Sequence, residues 1–242
     1  MNTNRINPNE SYVVSYLVLR EAIGILGLAL PVILVLGSLV FGRCSAIQHS
    51  ISHYYYSIMH IAFVGILCVV GAFLVTYRGT SAFENRVSNF AGTFAFVVAV
   101  FPTGLEGFKS QCQFLEITIK IPEYIGWVHY GFAGLLFTCF AIFCLKIFQD
   151  SDNNAPIDKK KIRRNKIYKV CGWGIIVSMT LIALIAIIDH LTHRNYAAYY
   201  STTLIFETTS LFFFGSSWLI KGSLLWKSSS HKVLKALVKK IR

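Results

Sequence analysis

Six stretches of this sequence run for about twenty residues with almost no charge, and that feature decides what the chain can fold into. Such a stretch crosses the hydrocarbon core of a bilayer as a helix, at about 1.5 Å per residue. The stretches are 22–42, 57–77, 87–105, 124–145, 170–188 and 199–220. Only helices and closed barrels satisfy the backbone in lipid, and continuous apolar runs lack the alternation of a barrel. Charge is sparse, at 14% of residues against roughly 25% for a soluble domain. The expected fold class is all-α, a polytopic membrane bundle of six transmembrane helices. Pro31 falls mid-span in the first of them, where a kink is tolerated. No short apolar region leads to a small-residue cleavage site, so the first span is expected to stay as an anchor.

The net charge of +12 is confined to a few connecting segments. No segment outside the apolar stretches is long enough for a basic folded domain, which argues against nucleic acid as a partner. Lys and Arg collect on the cytoplasmic side of membrane proteins. With the N-terminus inside, the inside segments hold two, two, eight and seven basic residues. The outside segments hold Arg43, Lys109, Lys120 and Arg194, so the split is 19 to 4. Both termini are therefore expected in the cytoplasm. Three regions follow: a cytoplasmic segment 1–21, a six-helix domain 22–220 and a basic tail 221–242. From His231 the tail places Val233, Leu234, Leu237, Val238 and Ile241 on one helical face and lysines on the other. That pattern suits the anionic lipid headgroups of the inner leaflet. Tyr54, Tyr55, Tyr56, Tyr124, Trp127, Tyr196 and Tyr199 fall near the outer boundary, and Tyr168, Trp173, Trp218 and Trp226 near the inner one, as interface anchors. Two small-residue faces, Ser88/Gly92/Ala95/Ala99 and Gly126/Ala133/Gly134 with Tyr130, are expected to pack helices together.

Ionisable groups inside a bilayer are costly and usually face the bundle interior. Glu207 lies deep in the sixth span, and His60 and His129 lie about one turn below the same outer boundary. Asp189, His190 and His193 follow the fifth span, and Glu106 follows the third. The inner halves of the spans read as nearly free of ionisable groups, so a site is expected in the outer half. Three chemistries fit. His60, His129 and Glu207 would give zinc two imidazoles and a carboxylate, leaving one position for water. His190 and His193 would share a helix face as a second metal pair. Glu207 with either histidine would make a proton-responsive pair, or Glu207 would sit in a buried structural network, protonated or bonded to Thr203, Ser210 or a helix neighbour. Cys44 and Cys112 fall in outer loops, where a disulfide is expected to join them. The run from Gly104 to Ser110 lacks the spacing of a phosphate loop.

Several short pieces carry a resemblance. They are Ser50-Ile51-Ser52-His53-Tyr54-Tyr55, Phe101-Pro102-Thr103, His129, Tyr168 through Gly172, and Glu207 through Phe214-Gly215-Ser216-Ser217-Trp218. Over residues 45–222 the chain resembles uncharacterised bacterial six-helix membrane proteins of the domain-of-unknown-function 998 type, distantly similar to the Frag/DRAM/Sfk proteins. The resemblance implies six helices and a bacterial cytoplasmic membrane, and no particular reaction. A weaker similarity is to alkaline ceramidase and adiponectin-receptor-like zinc hydrolases. It rests on Ser57 with His60, Asp189, and His190 with His193, each pair three apart rather than four, and without the seventh helix. The expected function is binding or handling a lipid or small amphiphile through a polar outer pocket lined by Glu207, His60, His129, Asp189 and Ser57. The alternatives are a zinc-dependent hydrolase of a lipid amide or ester and a small proton-coupled carrier.

Overall fold

A computed structural model of the protein describes residues 8–42, 46–105, 122–150 and 159–241. Cys44, Cys112 and Glu106 lie outside the described residues, and so does the expected disulfide. The fold is all-helical, with no strand among the described residues. Helix α1 spans Pro8–Phe41, α2 His60–Thr76, α3 Ala82–Val100 and α4 Glu123–Ile142. A π-helical turn, Phe143–Ile147, continues α4 into its last turn α5, Phe148–Asp150. Helix α6 spans Lys159–Thr192, the short α7 Tyr196–Tyr200, and α8 Thr202–Ile241. Four segments are long and apolar enough to cross a membrane: Val18–Phe41, Glu123–Ile147, Lys161–Thr192 and Thr202–Gly222. Helix α2 is a shorter apolar helix.

The helices outrun the apolar stretches, because the Lys and Arg that flank them, as at Lys159 to Arg164, are good helix formers. Helix α1 begins at Pro8, a residue whose fixed φ suits a first helical turn. Residues 8–21 are thus continuous with the first long helix. The 221–242 tail is helical as its pattern predicts, but it forms one unbroken helix with the residues before it. Helix α3 starts five residues early, with Ser81 capping the Glu84 N–H (3.1 Å), and stops at Val100 before Pro102.

Close crossings need missing side chains. A Cβ on Gly24 of α1 would stand 2.9 Å from Gly215 O of α8, and one on Gly215 would stand 2.6 Å from Gly24 O. Helices α2 and α3 cross in the same way at Gly71 and Gly92, and Ser88 Oγ donates to Leu74 O beside them (2.6 Å). The first small-residue face therefore packs as expected. The second does not: Gly126 meets the backbone of Gly104, but Gly134 has nothing within 4 Å of a Cβ and Tyr130 is exposed.

One end of the bundle is closed by residues 46–59, which include a 3-10 turn Ser52–Tyr56. Gln48, Ser50, Ile51, Ser52, His53, Tyr54, Tyr56 and Ser57 are all buried. This plug corrects two expectations. The second helix begins at His60 rather than residue 57, and Tyr54 and Tyr56 are core residues rather than interface anchors. Tyr124, Trp127 and Tyr199 are exposed, as a membrane-interface role requires. At the opposite, basic end Trp218 and Tyr168 are also buried, while Trp173 keeps the exposure expected of an anchor. Trp218 packs there against Tyr77, Phe143 and Phe148 at 5.1–5.5 Å between ring centres.

Candidate functional site

Helix α8 carries Glu207 about one and a half turns from its start, where its carboxylate meets the plug. Ile51 N–H donates to Glu207 Oε2 (2.6 Å), and Ser50 Oγ donates to the same oxygen (2.9 Å). Ser50 Oγ in turn accepts from Ser52 N–H (3.0 Å). Helix α4 supplies His129, fully buried. Its Nδ1 lies 2.7 Å from Phe101 O, which can only accept, so Nδ1 holds the proton. The neutral ring then presents the Nε2 lone pair to the Ser52 hydroxyl (2.9 Å). Phe101 O is available because α3 has just ended and Pro102 follows. The plug is pinned elsewhere as well. Leu204 N–H donates to His49 O (2.8 Å), His49 Nδ1 bonds Ser201 Oγ (3.1 Å), and Tyr56 donates to Thr103 O.

The structure thus joins Glu207 and His129 through adjoining plug residues but does not gather Glu207, His60 and His129 around one cavity. Among the described residues, His60 donates from Nδ1 to Tyr55 O (2.5 Å), away from the other two. No group of three His, Cys, Asp or Glu residues close enough to hold a metal occurs among the described residues. The expected zinc triad is therefore not assembled. The reason is local: the chain before His60 folds back into the bundle, and its own backbone supplies the partners. Glu207 does not bond the Thr203 or Ser210 of its own helix, as a self-contained network would require.

The other candidates take structural roles. Ser57 donates to Tyr54 O (2.8 Å) and accepts from Met59 N–H (3.1 Å), holding the turn into α2. Asp189 accepts from Tyr196 N–H (2.8 Å) and Ala197 N–H (3.0 Å), capping α7. His190 and His193 are both exposed and share no helix face, because α6 ends at Thr192 and His193 adopts a left-handed φ of 52°.

The basic end of the bundle, opposite the plug, holds what the sequence did not disclose. Arg20 and Glu84, both buried, form an ion pair at 3.3 Å, and Tyr77 bridges them with hydrogen bonds to each. Thr80 N–H and Oγ donate to the other Glu84 oxygen at 2.8 and 3.1 Å. Lys221, also buried, donates to Phe148 O (3.1 Å). Arg20, Glu84 and Lys221 sit at the margins of the apolar stretches, where a hydropathy reading assigns them to solvent.

An open concavity lies on the flank. Helices α6 and α8 leave a groove of about 570 Å³ between them, walled by Val170, Trp173, Val177, Leu181, Phe206 and Phe213. Lys166 and Lys169 stand at its basic end. The floor exists because Gly174 faces the ring of Phe213.

Comparison of the chain with family models, with curated proteins and with solved structures finds no match.

Proposed function

We propose that the protein is a six-span membrane protein, with both termini in the cytoplasm, that binds an anionic phospholipid along the α6–α8 groove. The groove carries this reading: apolar walls of acyl-chain character end at two lysines. An acyl chain lies against Phe206, Phe213 and Leu181, and the headgroup phosphate meets Lys166 and Lys169. The lysines of the tail from Lys232 onward add positive charge suited to the same anionic leaflet. Native mass spectrometry of the protein in detergent, with phosphatidylglycerol or phosphatidylcholine added, tests it. Retention of phosphatidylglycerol is expected to exceed that of phosphatidylcholine. At about 1 kcal/mol per basic residue, Lys166→Gln with Lys169→Gln reduces the preference about thirtyfold. Equal retention of the two lipids, or a preference that survives the double variant, defeats the reading.

A second reading is favoured by the Ser52–His129 pair, whose hydrogen bond and tautomer match a nucleophile with its general base. In it Ser52 Oγ adds to a lipid ester carbonyl while His129 Nε2 takes the hydroxyl proton. The proton then passes to the departing alcohol, and water releases the acyl group from Ser52. A fluorophosphonate probe is expected to label Ser52 and to spare the His129→Gln protein. An unlabelled wild-type protein removes this reading.

A further inference from the structure

At the basic end, side chains from α6 and α8 close around the ring of Phe148, with Arg20 of α1 nearby over Tyr77. Trp218 lies 5.3 Å from it, edge-on, and Tyr168 lies 5.4 Å away. Lys221 reaches the Phe148 carbonyl at 3.1 Å. The Arg20 guanidinium stands 4.9 Å above Tyr77, whose ring is 5.5 Å from Trp218. Relative exposure is 0% for Trp218, 2% for Tyr168 and Arg20, and 9% for Lys221.

Two polar atoms here have no protein partner. The Trp218 Nε1–H and the Tyr168 hydroxyl are both buried without a hydrogen bond. Buried polar groups are nearly always satisfied, and an orphan points to an ion or water at the site. Indole Nε1–H can only donate, so what it lacks is an acceptor. Cationic side chains are buried at the same end, Arg20 from α1 and Lys221 from α8. Arg20 and Arg164 both act electrostatically on the Tyr168 oxygen. Half-buried Arg164 lies one turn before Tyr168, toward the start of α6, so the cationic groups continue to the edge of the bundle. Donors drawn from separate helices call for a ligand with several acceptor oxygens.

We propose that this cluster binds a phosphate group, with Trp218 and Tyr168 donating hydrogen bonds and Arg20 and Lys221 supplying the countercharge. The site is distinct from the lateral groove, since Tyr168 is buried and Lys166 and Lys169 are exposed on another face of α6. The phosphate is either inorganic phosphate or the terminal headgroup of a phosphomonoester lipid, and both present the same oxygens.

The test uses the full-length protein carrying Trp127→Phe, Trp173→Phe and Trp226→Phe, so that Trp218 alone emits. One arm titrates inorganic phosphate onto protein in phosphatidylcholine vesicles. The other compares those vesicles with ones containing phosphatidic acid. A saturable change in Trp218 emission is expected in at least one arm. Tyr168→Phe keeps the ring and removes only the hydroxyl, and is expected to weaken the response about tenfold. Lys221→Gln is expected to weaken it further, whereas Lys166→Gln with Lys169→Gln leaves it in place. A response to inorganic phosphate identifies the free anion, and a response to phosphatidic acid alone identifies a headgroup. No change in either arm overturns the proposal, as does a response that Tyr168→Phe leaves intact.

Discussion

At the scale of the residue, buried charge divides into two kinds of place. Glu207 was visible as a candidate because it interrupts an apolar run, whereas its donors, Ser50 and Ile51, sit in a stretch with the composition of a loop. Glu207→Ala leaves a buried hydroxyl and an N–H without acceptors and is expected to cost about 1–3 kcal/mol. Glu207→Gln keeps a carbonyl acceptor and costs less. Unfolding in mixed micelles measures both, and equal losses would show that the Ser50 and Ile51 bonds do not hold the plug. Arg20 and Glu84 were not legible as a pair, because each lies just beyond an apolar stretch and 64 residues separate them. Breaking a buried pair from one side strands a charge, so Glu84→Gln is expected to destabilise by about 3–5 kcal/mol. Arg20→Met combined with Glu84→Leu is expected to cost less than the sum of the single changes. Additive losses would deny the coupling.

At the scale of the element, the spacing of small residues foretold the α2–α3 crossing but not the α1–α8 crossing. Gly92 shares a face with Ser88, Ala95 and Ala99, so a pattern announces it. Gly24 with Gly27, and Gly215 beside Ser216 and Ser217, form no long small-residue stripe, and only their mutual approach gives them meaning. The same approach separates two classes of substitution. Gly215→Ala places a methyl against Gly24 O and Leu28, and Gly92→Ala places one against Gly71 O and Val75. Each is expected to destabilise by about 1–3 kcal/mol, as overpacking does. Gly131→Ala and Gly134→Ala meet nothing within 4 Å, and helix propensity alone acts there, stabilising by up to about 1 kcal/mol. Thermal unfolding of the four proteins is expected to sort them two and two. A destabilising Gly134→Ala would restore the packing role that its sequence neighbours suggest. The plug itself had no announcing pattern: its tyrosines and serines read as an interface belt, and only the chain's return into the bundle makes them core.

At the scale of the whole molecule, α2 and α3 are shorter than the four segments of clear membrane length. Their 17 and 19 residues rise about 25 and 28 Å, close to the ~30 Å of a hydrocarbon core. They enter or stay out together, since they form one antiparallel hairpin around Gly71 and Gly92. The hairpin's tip carries Tyr77 and Glu84, which bond Arg20, while its open end carries His60 beside the plug. Arg20 in turn touches the α8 turn at Gly222, next to Lys221, far along that helix from Glu207. The hairpin therefore runs alongside α8 between the plug and the basic end, and the six-span proposal has α2 and α3 cross the membrane with it. Reporter fusions after Asp150 and Arg242 are expected to report the cytoplasm, and one after Gln111 the outside. Those three do not test the hairpin, because removing two spans together would leave the later orientation unchanged. The fusion that decides is one after Thr80, expected in the cytoplasm with Asp150. A reporter at Thr80 on the same side as Gln111 would reduce the count to four, and would put the Arg20–Glu84 pair on the wrong side of the bilayer for the contacts the fold makes.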